Sequence, residues 1–233
     1  MAFQLSPGVN VSEIDLTTIV PSVATSIGAF AGPFAWGPVG EIITISDEVR
    51  LADRFGKPDS NNYEYWFSAA NFLAYTNTLK VVRAVNIATT RNAIANSSAT
   101  PILIKNETDW DQNYSTGQGS VGEFAARYAG EIGNSLKVSM ADANTYGSWT
   151  YASSFTGAPG TSTFATNKNG AYDELHIIVI DEDGKFTGTK NTVLEVFPYA
   201  SKASDAKDDS GNSSYYKNVI ASKSKYIHWM DHP

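Results

Sequence analysis

The sequence predicts an α+β protein with an extended N-terminal arm (residues 1–22), a partial α/β domain (residues 23–88) and a mostly β domain (residues 89–233). Three observations predict this organisation. Pro7-Gly8 and Pro21 separate the first residues from the rest of the chain. Two helical patterns with start and stop signals then lie between apolar strands. Short apolar runs separated by turn residues fill the second half.

The composition is that of a globular protein without disulfide or thiolate chemistry. Of the 233 residues, 42% are hydrophobic, 18% are charged and none is cysteine. The formal net charge is −7, so composition signals no basic surface for nucleic acid or anionic lipid. The start has no signal-peptide pattern, and no apolar run is long enough to span a bilayer. We therefore expect intracellular synthesis, no direct nucleic-acid contact and no membrane insertion.

The predicted α/β domain carries the strongest local signals. An uncharged apolar run at 24–31 predicts a strand buried on both faces, and a second strand is predicted over 41–45. Ser46 is expected to cap the next helix and Gly56 to end it. A strand over 79–85 closes the unit. The second helix has a predicted core-facing stripe of Tyr63, Trp66, Phe67, Ala70, Leu73 and Ala74.

Two Gly-Pro pairs, Gly32-Pro33 and Gly37-Pro38, bracket a pair of aromatic residues. Pairs so close together force a turn that presents Phe34 and Trp36 as a packing contact. The sequence allows two packing partners for these rings: the edge of the core of their own domain, or a second subunit.

The second half is predicted to consist of short strands joined by turns. Extended segments are predicted over residues 101–106, 136–140, 174–181, 191–199, 215–220 and 225–229. Asp183-Gly184 predicts a hairpin that returns over 185–189. Residues 107–120 are expected to be a loop or a frayed helix, 121–130 a short helix, and 141–172 a long exposed loop or loose hairpin. Because the α/β domain has too few strands to close its sheet, we expect the chain to be an N-terminal part of a longer protein.

Three patterns could carry chemistry, and each has a plainer structural explanation. The run Gly117–Gly122 matches G-x-G-x-x-G, but the strand that the dinucleotide motif needs does not precede it. His228 and His232 have a metal-sharing spacing but no third ligand nearby. Asp181 to Asp183 lack the twelve-residue loop of a calcium site. We therefore predict no catalytic, cofactor-binding or metal site, and no enzyme.

The arm contains a short strand pattern, Val9-Asn10-Val11-Ser12, with no sequence neighbour to pair with. A lone strand cannot satisfy its own backbone N–H and C=O groups, so it must join a sheet. The residues alone leave open pairing within the same subunit, disorder of the terminus, and addition to the sheet of a neighbouring copy.

The order of these motifs resembles the tail sheath proteins of contractile-tailed bacteriophages. SPGV, an uncharged strand, GPFAWGP, DEVRLADRFGKP, an aromatic helix and LKVVRAV follow one another over residues 4–86, and FAARYAGEIGNSLKV extends the resemblance. The resemblance implies a structural subunit in which Pro7, Gly8, Val9, Val11 and Ile14 add a strand to the next subunit. It also implies that the α/β half lies near the tail tube and that the mostly β half is an outer insertion domain.

The same resemblance implies stacked hexameric rings that contract and drive the tail tube through the host envelope for genome delivery. The implied partners are further copies in a helical sheath, the tail tube protein, and the baseplate and tail terminator proteins. The implied location is the virion tail, after assembly in the host cytoplasm, and no cofactor is implied. The alternatives are the sheath of a related bacterial contractile injection system, a nucleotide-dependent α/β enzyme built on the glycine run, and a surface adhesin.

Overall fold

The computed structural model describes residues 27–232, which form an α+β fold of eight strands and five α-helices. The predicted fold class is confirmed. The strands are β1 (Ile27–Gly32), β2 (Ile42–Ile45), β3 (Thr78–Arg83), β4 (Phe124–Ala126), β5 (Leu136–Ala141), β6 (Glu174–Asp181), β7 (Thr192–Ser201) and β8 (Ile227–Trp229). The helices are α1 (Glu48–Phe55), α2 (Tyr63–Leu73), α3 (Glu107–Asn113), α4 (Thr163–Asn167) and α5 (Tyr216–Lys223).

The first sheet has the order β1-β3-β2, with β3 parallel to β1 and antiparallel to β2. Helices α1 and α2 cover one face, where Leu79 of β3 is buried with Phe55 and Trp66. On the other face Ile27 is 58% exposed and Ile42 is 64% exposed. The prediction that the first strand is buried on both faces is therefore wrong for its described residues, because both helices pack on the same side of the sheet.

The two helices of this unit follow the predicted signals with local differences. Asp47, one residue after the predicted Ser46, caps α1 by accepting a hydrogen bond from the Arg50 backbone N–H at 2.8 Å. In α2, Trp66 is buried, whereas Tyr63 and Phe67 are 50% and 48% exposed. Those two residues, and the exposed Ala74 at the end of the helix, were wrongly predicted to face the core, because α2 is apolar around much of its circumference and covers the sheet with one face only.

The antiparallel sheet β5-β6-β7 forms the core of the second half. Its central strand β6 has the predicted bounds, and Ile177 to Ile180 are fully buried. The hairpin that follows returns as β7, whereas residues 185–189 stay in the connecting loop. Helix α5 packs against this sheet through Tyr216 and Ile220, so the predicted extended segment over 215–220 is wrong.

Two further predictions in the second half are corrected by long-range pairing. Residues 121–130 contain the short strand β4, which pairs with β8, and do not form a helix. Residues 101–106 are not a strand, although Ile104 is fully buried. Asn92 takes up two of their backbone groups: the Ile104 N–H donates to Asn92 Oδ1 at 2.7 Å, and the Asn92 N–H donates to Ile102 O at 2.9 Å. Over residues 107–120 the structure has helix α3 followed by a turn.

Within residues 141–172, predicted as a long exposed loop or loose hairpin, residues 163–167 form helix α4, residues 166–172 are exposed, and Tyr146, Phe155 and Gly157 pack around His176 of β6. The Tyr199 backbone N–H donates to His176 Nδ1 at 3.0 Å, which leaves the ring proton on Nε2 to bond the Gly157 carbonyl at 2.9 Å. Phe155 stacks on the imidazole with ring centroids 4.2 Å apart. A buried histidine of β6 therefore anchors the segment, and the sequence of the segment itself does not indicate this contact.

Strand β8 buries a second histidine without hydrogen-bond partners. His228 is 1% exposed, stacks on Trp110 with centroids 4.8 Å apart, and has no partner for either ring nitrogen. Burial, with a smaller effect from Arg127, lowers the pKa of His228 to about 3. Protonation of this ring therefore opposes folding.

We expect the substitution His228→Phe to remove part of the acid sensitivity of the fold. The unfolded chain takes up this proton below a pKa of 6.5, whereas the folded chain resists it down to about 3, so stability is fully present above pH 6.5 and lost as pH falls towards 3. Between about pH 7.5 and pH 5, the free energy of unfolding of the wild-type chain should fall by about 2 kcal/mol more than that of the variant. Urea titrations at both pH values measure this difference.

Phe124→Leu is the matched control, because it alters the same β4–β8 ladder without removing a titrating group. It should lower the free energy of unfolding by a similar amount at both pH values. An unchanged pH dependence in the His228→Phe variant would contradict this account of the buried imidazole.

Candidate functional site

The turn at residues 32–38 lies between the two halves of the described chain, defined here as residues 27–83 and 84–232. Phe34 and Trp36 are each 3% exposed. Phe34 enters the core of the first half, where its ring lies 4.9 Å from that of Phe55. Gly37 has a φ of 101°, and a side chain there would lie 2.7 Å from the Arg54 carbonyl oxygen, so only glycine fits this turn.

Trp36 enters an aromatic socket built by the second half. Its ring lies edge-to-face with Tyr128 at 5.2 Å and with Phe186 at 5.1 Å, and 6.3 Å from Tyr226. Edge-to-face pairs of this kind add to the stabilisation from area burial alone. The loop thus delivers one aromatic ring to each half. These contacts lie within the chain, and a contact of either ring with another subunit stays a prediction.

Arg83, at the end of β3, fixes the backbone of the loop at residues 32–38 by hydrogen bonds. The guanidinium is 3% exposed and donates to three backbone carbonyls: Nε to Phe34 O at 2.7 Å, Nη2 to Ala35 O at 3.1 Å and Nη1 to Gly37 O at 2.9 Å. Burial lowers the pKa of Arg83 to about 10, so the side chain stays charged at neutral pH. Charge-assisted bonds to carbonyls are stronger than neutral ones, and they fix the loop's backbone.

Asp181 fixes the loop that carries Phe186 to the socket. Its buried carboxylate accepts hydrogen bonds from Ser135 Oγ at 2.6 Å and from the backbone N–H groups of Phe186 at 3.0 Å and Thr187 at 2.8 Å. Burial acts to raise the pKa of Asp181, but these hydrogen bonds outweigh it and hold the pKa below its usual value. Asp181 therefore points into the protein, although it lies next to the hairpin turn predicted at Asp183-Gly184.

The other sequence patterns occupy structural positions. The run Gly117–Gly122 follows helix α3 and precedes strand β4, the reverse of the strand–turn–helix order of a dinucleotide site. A side chain at Gly117 would lie 2.3 Å from the Met230 carbonyl oxygen, so this run serves a close backbone approach. His228 is buried on Trp110, whereas Nδ1 of His232 bonds the Tyr216 hydroxyl at 2.7 Å.

Metal-ligand clusters and membrane-spanning helices are both absent from the described residues. Within residues 27–232 there is no group of three or more His, Cys, Asp or Glu side chains that could hold a metal ion. Over the same residues, no helix has the length and apolarity to cross a membrane. The arm residues Pro7, Gly8, Val9, Val11 and Ile14 lie outside the described residues, so their role in strand addition stays a prediction.

The sequence pattern did not reveal the role of Arg83. One signal for this role was present: Arg83 alternates with Leu79 and Val81, which places its side chain on the buried face of the strand. A charge on a buried face needs hydrogen-bond partners. The socket residues gave no signal, since Tyr128, Phe186 and Tyr226 meet only in the folded chain.

Residues 25–84 match the family model described as the N-terminal region of domain III of the tail sheath protein Gp18. The predicted resemblance to phage tail sheath proteins is confirmed. The chain is 42% identical over 89 residues to the tail sheath protein of Enterobacteria phage T4, covering 38% of this chain and 14% of that protein. It is 28% identical over 197 residues to the tail sheath protein of Salmonella phage ViI, covering 84% of this chain and 28% of that protein.

A third tail sheath protein, from Vibrio phage KVP40, is 37% identical over 89 residues, or 38% of this chain and 13% of that protein. The chain thus spans between 13% and 28% of the length of these sheath relatives. A solved sheath tail protein from Listeria innocua has a TM-score of 0.42 and 10% identity, and the match covers 89% of this chain and 30% of that one. The matched tail sheath region includes both the loop at 32–38 and Arg83.

We expect Arg83→Met to destabilise the fold strongly, because it leaves three inward-facing carbonyl groups without their donor. An unsatisfied buried polar group costs about 1–3 kcal/mol, so the free energy of unfolding should fall by about 3 kcal/mol or more in chemical denaturation.

Arg91→Met is the matched control for this substitution. Arg91 also donates to three backbone carbonyls, those of Ile87, Ala88 and Thr90, but they lie within four residues of it and largely near solvent. Water can replace those bonds, so the loss should stay below about 1 kcal/mol. Equal losses in the two variants would show that burial of the loop carbonyls is not what makes Arg83 necessary.

Proposed function

We propose that this chain is a structural part of a bacteriophage contractile tail sheath that assembles as stacked hexameric rings around the tail tube. Contraction of the rings would drive the tube through the host envelope for genome delivery. The observation that carries the proposal is the match of residues 25–84 to a tail sheath domain, extended over 197 residues by the similarity to one sheath relative. The role is mechanical and requires no catalytic residue, cofactor or metal.

The surface of the first half supports a place in a larger assembly. Apolar side chains are exposed on the open face of the first sheet and on α2, among them Ile27, Ile42, Phe67 and Phe72, and Tyr75 just beyond α2 is 92% exposed. The outer edge of β1 also has no strand paired to it among the described residues. Apolar surface of this extent and an unpaired strand edge are typical of segments that pack against further protein.

The proposed link between subunits is strand addition by the arm. Val9 and Val11 alternate with polar residues, so one face of the added strand would be apolar while its backbone pairs with the neighbour. At about 1 kcal/mol net for each backbone hydrogen bond, a short strand contributes only several kcal/mol. Many such links along a helical sheath would hold the subunits together while their other contacts change.

The partners in this proposal are further copies of the protein, the tail tube protein, and the baseplate and tail terminator proteins. The proposed location is the virion tail, after assembly in the host cytoplasm. Contraction would draw on the difference in free energy between two sets of subunit contacts, which is why a nucleotide is not part of the mechanism.

We predict that deletion of residues 1–20 abolishes tube formation and leaves the subunit folded. The sheets and cores described above lie within residues 27–232, so we expect circular dichroism and the unfolding transition to change little. Negative-stain electron microscopy of the full-length protein should show striated tubes, and the same preparation of the deletion variant should show none.

A variant with residues 2–22 in scrambled order is the control for length and composition. The scrambled variant should fail to form tubes, because it lacks the strand pattern. A third variant, Val9→Ile with Val11→Ile, keeps that pattern and should still form tubes. Normal tubes from the deletion variant would refute the role of the arm. A full-length protein that never forms tubes under any condition would refute the sheath function itself.

A further inference from the structure

The contact between the two halves of the chain depends on few interactions. Beside Trp36, side-chain contacts across it within residues 27–232 include Lys225 Nζ to Asp53 Oδ1 at 3.2 Å, Lys57 Nζ to Thr187 O at 3.3 Å, and the Arg54 guanidinium 5.8 Å from the centre of the Tyr128 ring. The Lys225 and Asp53 side chains are 67% and 61% exposed, so water competes for their ion pair and it contributes little.

Hydrogen bonds to backbone groups cross the junction at Val39 and at the chain connection, where the Ala84 N–H donates to Gly32 O at 2.9 Å. The Val39 N–H donates to Lys105 O at 2.7 Å, and Asn106 Nδ2 donates to Val39 O at 3.1 Å. These two bonds hold the end of the loop against the second half, but they restrain rotation about that point weakly, because both meet at a single residue.

Open clefts flank the Trp36 ring. One of about 400 Å³ is lined by residues of both halves, including Arg54 and Arg127. A second of about 280 Å³ is lined by Val49, Lys57 and Phe186, again from both halves. Trp36 and Tyr226 line both clefts. Between these two clefts, the indole ring in its socket joins the two halves.

We propose that Trp36 is the coupling element that makes the two halves unfold and move as one body. Its backbone is fixed to the first half by Arg83, and its ring is fixed to the second half by Tyr128, Phe186 and Tyr226. When the ring leaves the socket, the remaining ties among the described residues are the exposed polar contacts of Lys225 and Lys57, the Arg54–Tyr128 contact, and the hydrogen bonds at Val39 and Ala84. The two halves then behave as separate units joined by a loose connection.

The test is hydrogen exchange with mass spectrometry on the full chain at increasing urea below the global transition. Peptides covering β3 report on the first half, and peptides covering β6 report on the second. In the wild-type chain both should lose protection over the same urea range. In Trp36→Ala the two peptides should lose protection at separate urea midpoints, and in Trp36→Phe they should stay together at a lower midpoint.

Trp66→Ala is the matched control, since Trp66 is also 3% exposed but packs only within the first half. With Trp36 in place, this variant should lower the midpoints of both peptides together. A combined Asp53→Ala and Lys225→Ala variant should keep one shared midpoint, because the exposed pair is not the coupling element.

Phe186→Ala keeps the test decisive if Trp36→Ala does not fold. Phe186 is a half-buried residue of a loop, so its truncation opens the socket without removing a buried core residue from either half. In the Phe186→Ala variant too, the β3 and β6 peptides should lose protection at separate urea midpoints. A single shared midpoint in both socket variants, or a Trp66→Ala variant in which only the first half loses protection, would overturn the proposal.

Discussion

The need to satisfy one buried cation, the Arg83 guanidinium, determines the geometry of the junction. A buried charge is tolerated only when its hydrogen-bond donors have partners, and here the partners are carbonyl groups of the loop at 34–37. A loop whose carbonyls converge on one point must send its side chains away from that point. Phe34 and Trp36 consequently leave the loop in different directions and enter different cores. The strand, the turn and the two aromatic contacts form one structural unit.

Elements defined by local physical chemistry could be predicted from the sequence. Helix α1 was predicted because a capping residue, Ser46, and a stop at Gly56 surround it, and the observed cap, Asp47, lies one residue from the predicted position. Strand β6 was predicted with the right bounds because Ile177 to Ile180 are apolar without interruption, as a strand buried on both faces requires. The α/β unit as a whole follows from such local signals.

The elements that were missed depend on partners far away in the chain. Strand β4 has three residues and exists because it pairs with β8, so its own sequence favours a helix as much as a strand. The stripe on α2 was misjudged at Phe67 for a related reason, since periodicity gives the apolar residues but not how much of the helix the sheet covers. The candidate site divides in the same way: the turn that presents Trp36 was predicted, and the socket that receives it was not.

If the proposed sheath function holds, the two proposed linkages transmit force differently. Strand addition relies on backbone hydrogen bonds, which tolerate many side chains and can be repeated at every subunit contact. The coupling of the two halves relies on the shape of one ring in one socket, with open clefts on either side. Force that enters through the arm reaches the first half along the continuous chain into β1. The second half moves with the first only while the Trp36 ring stays in its socket. The orientation of the second half therefore depends on this indole ring more than on the exposed ion pair between Lys225 and Asp53.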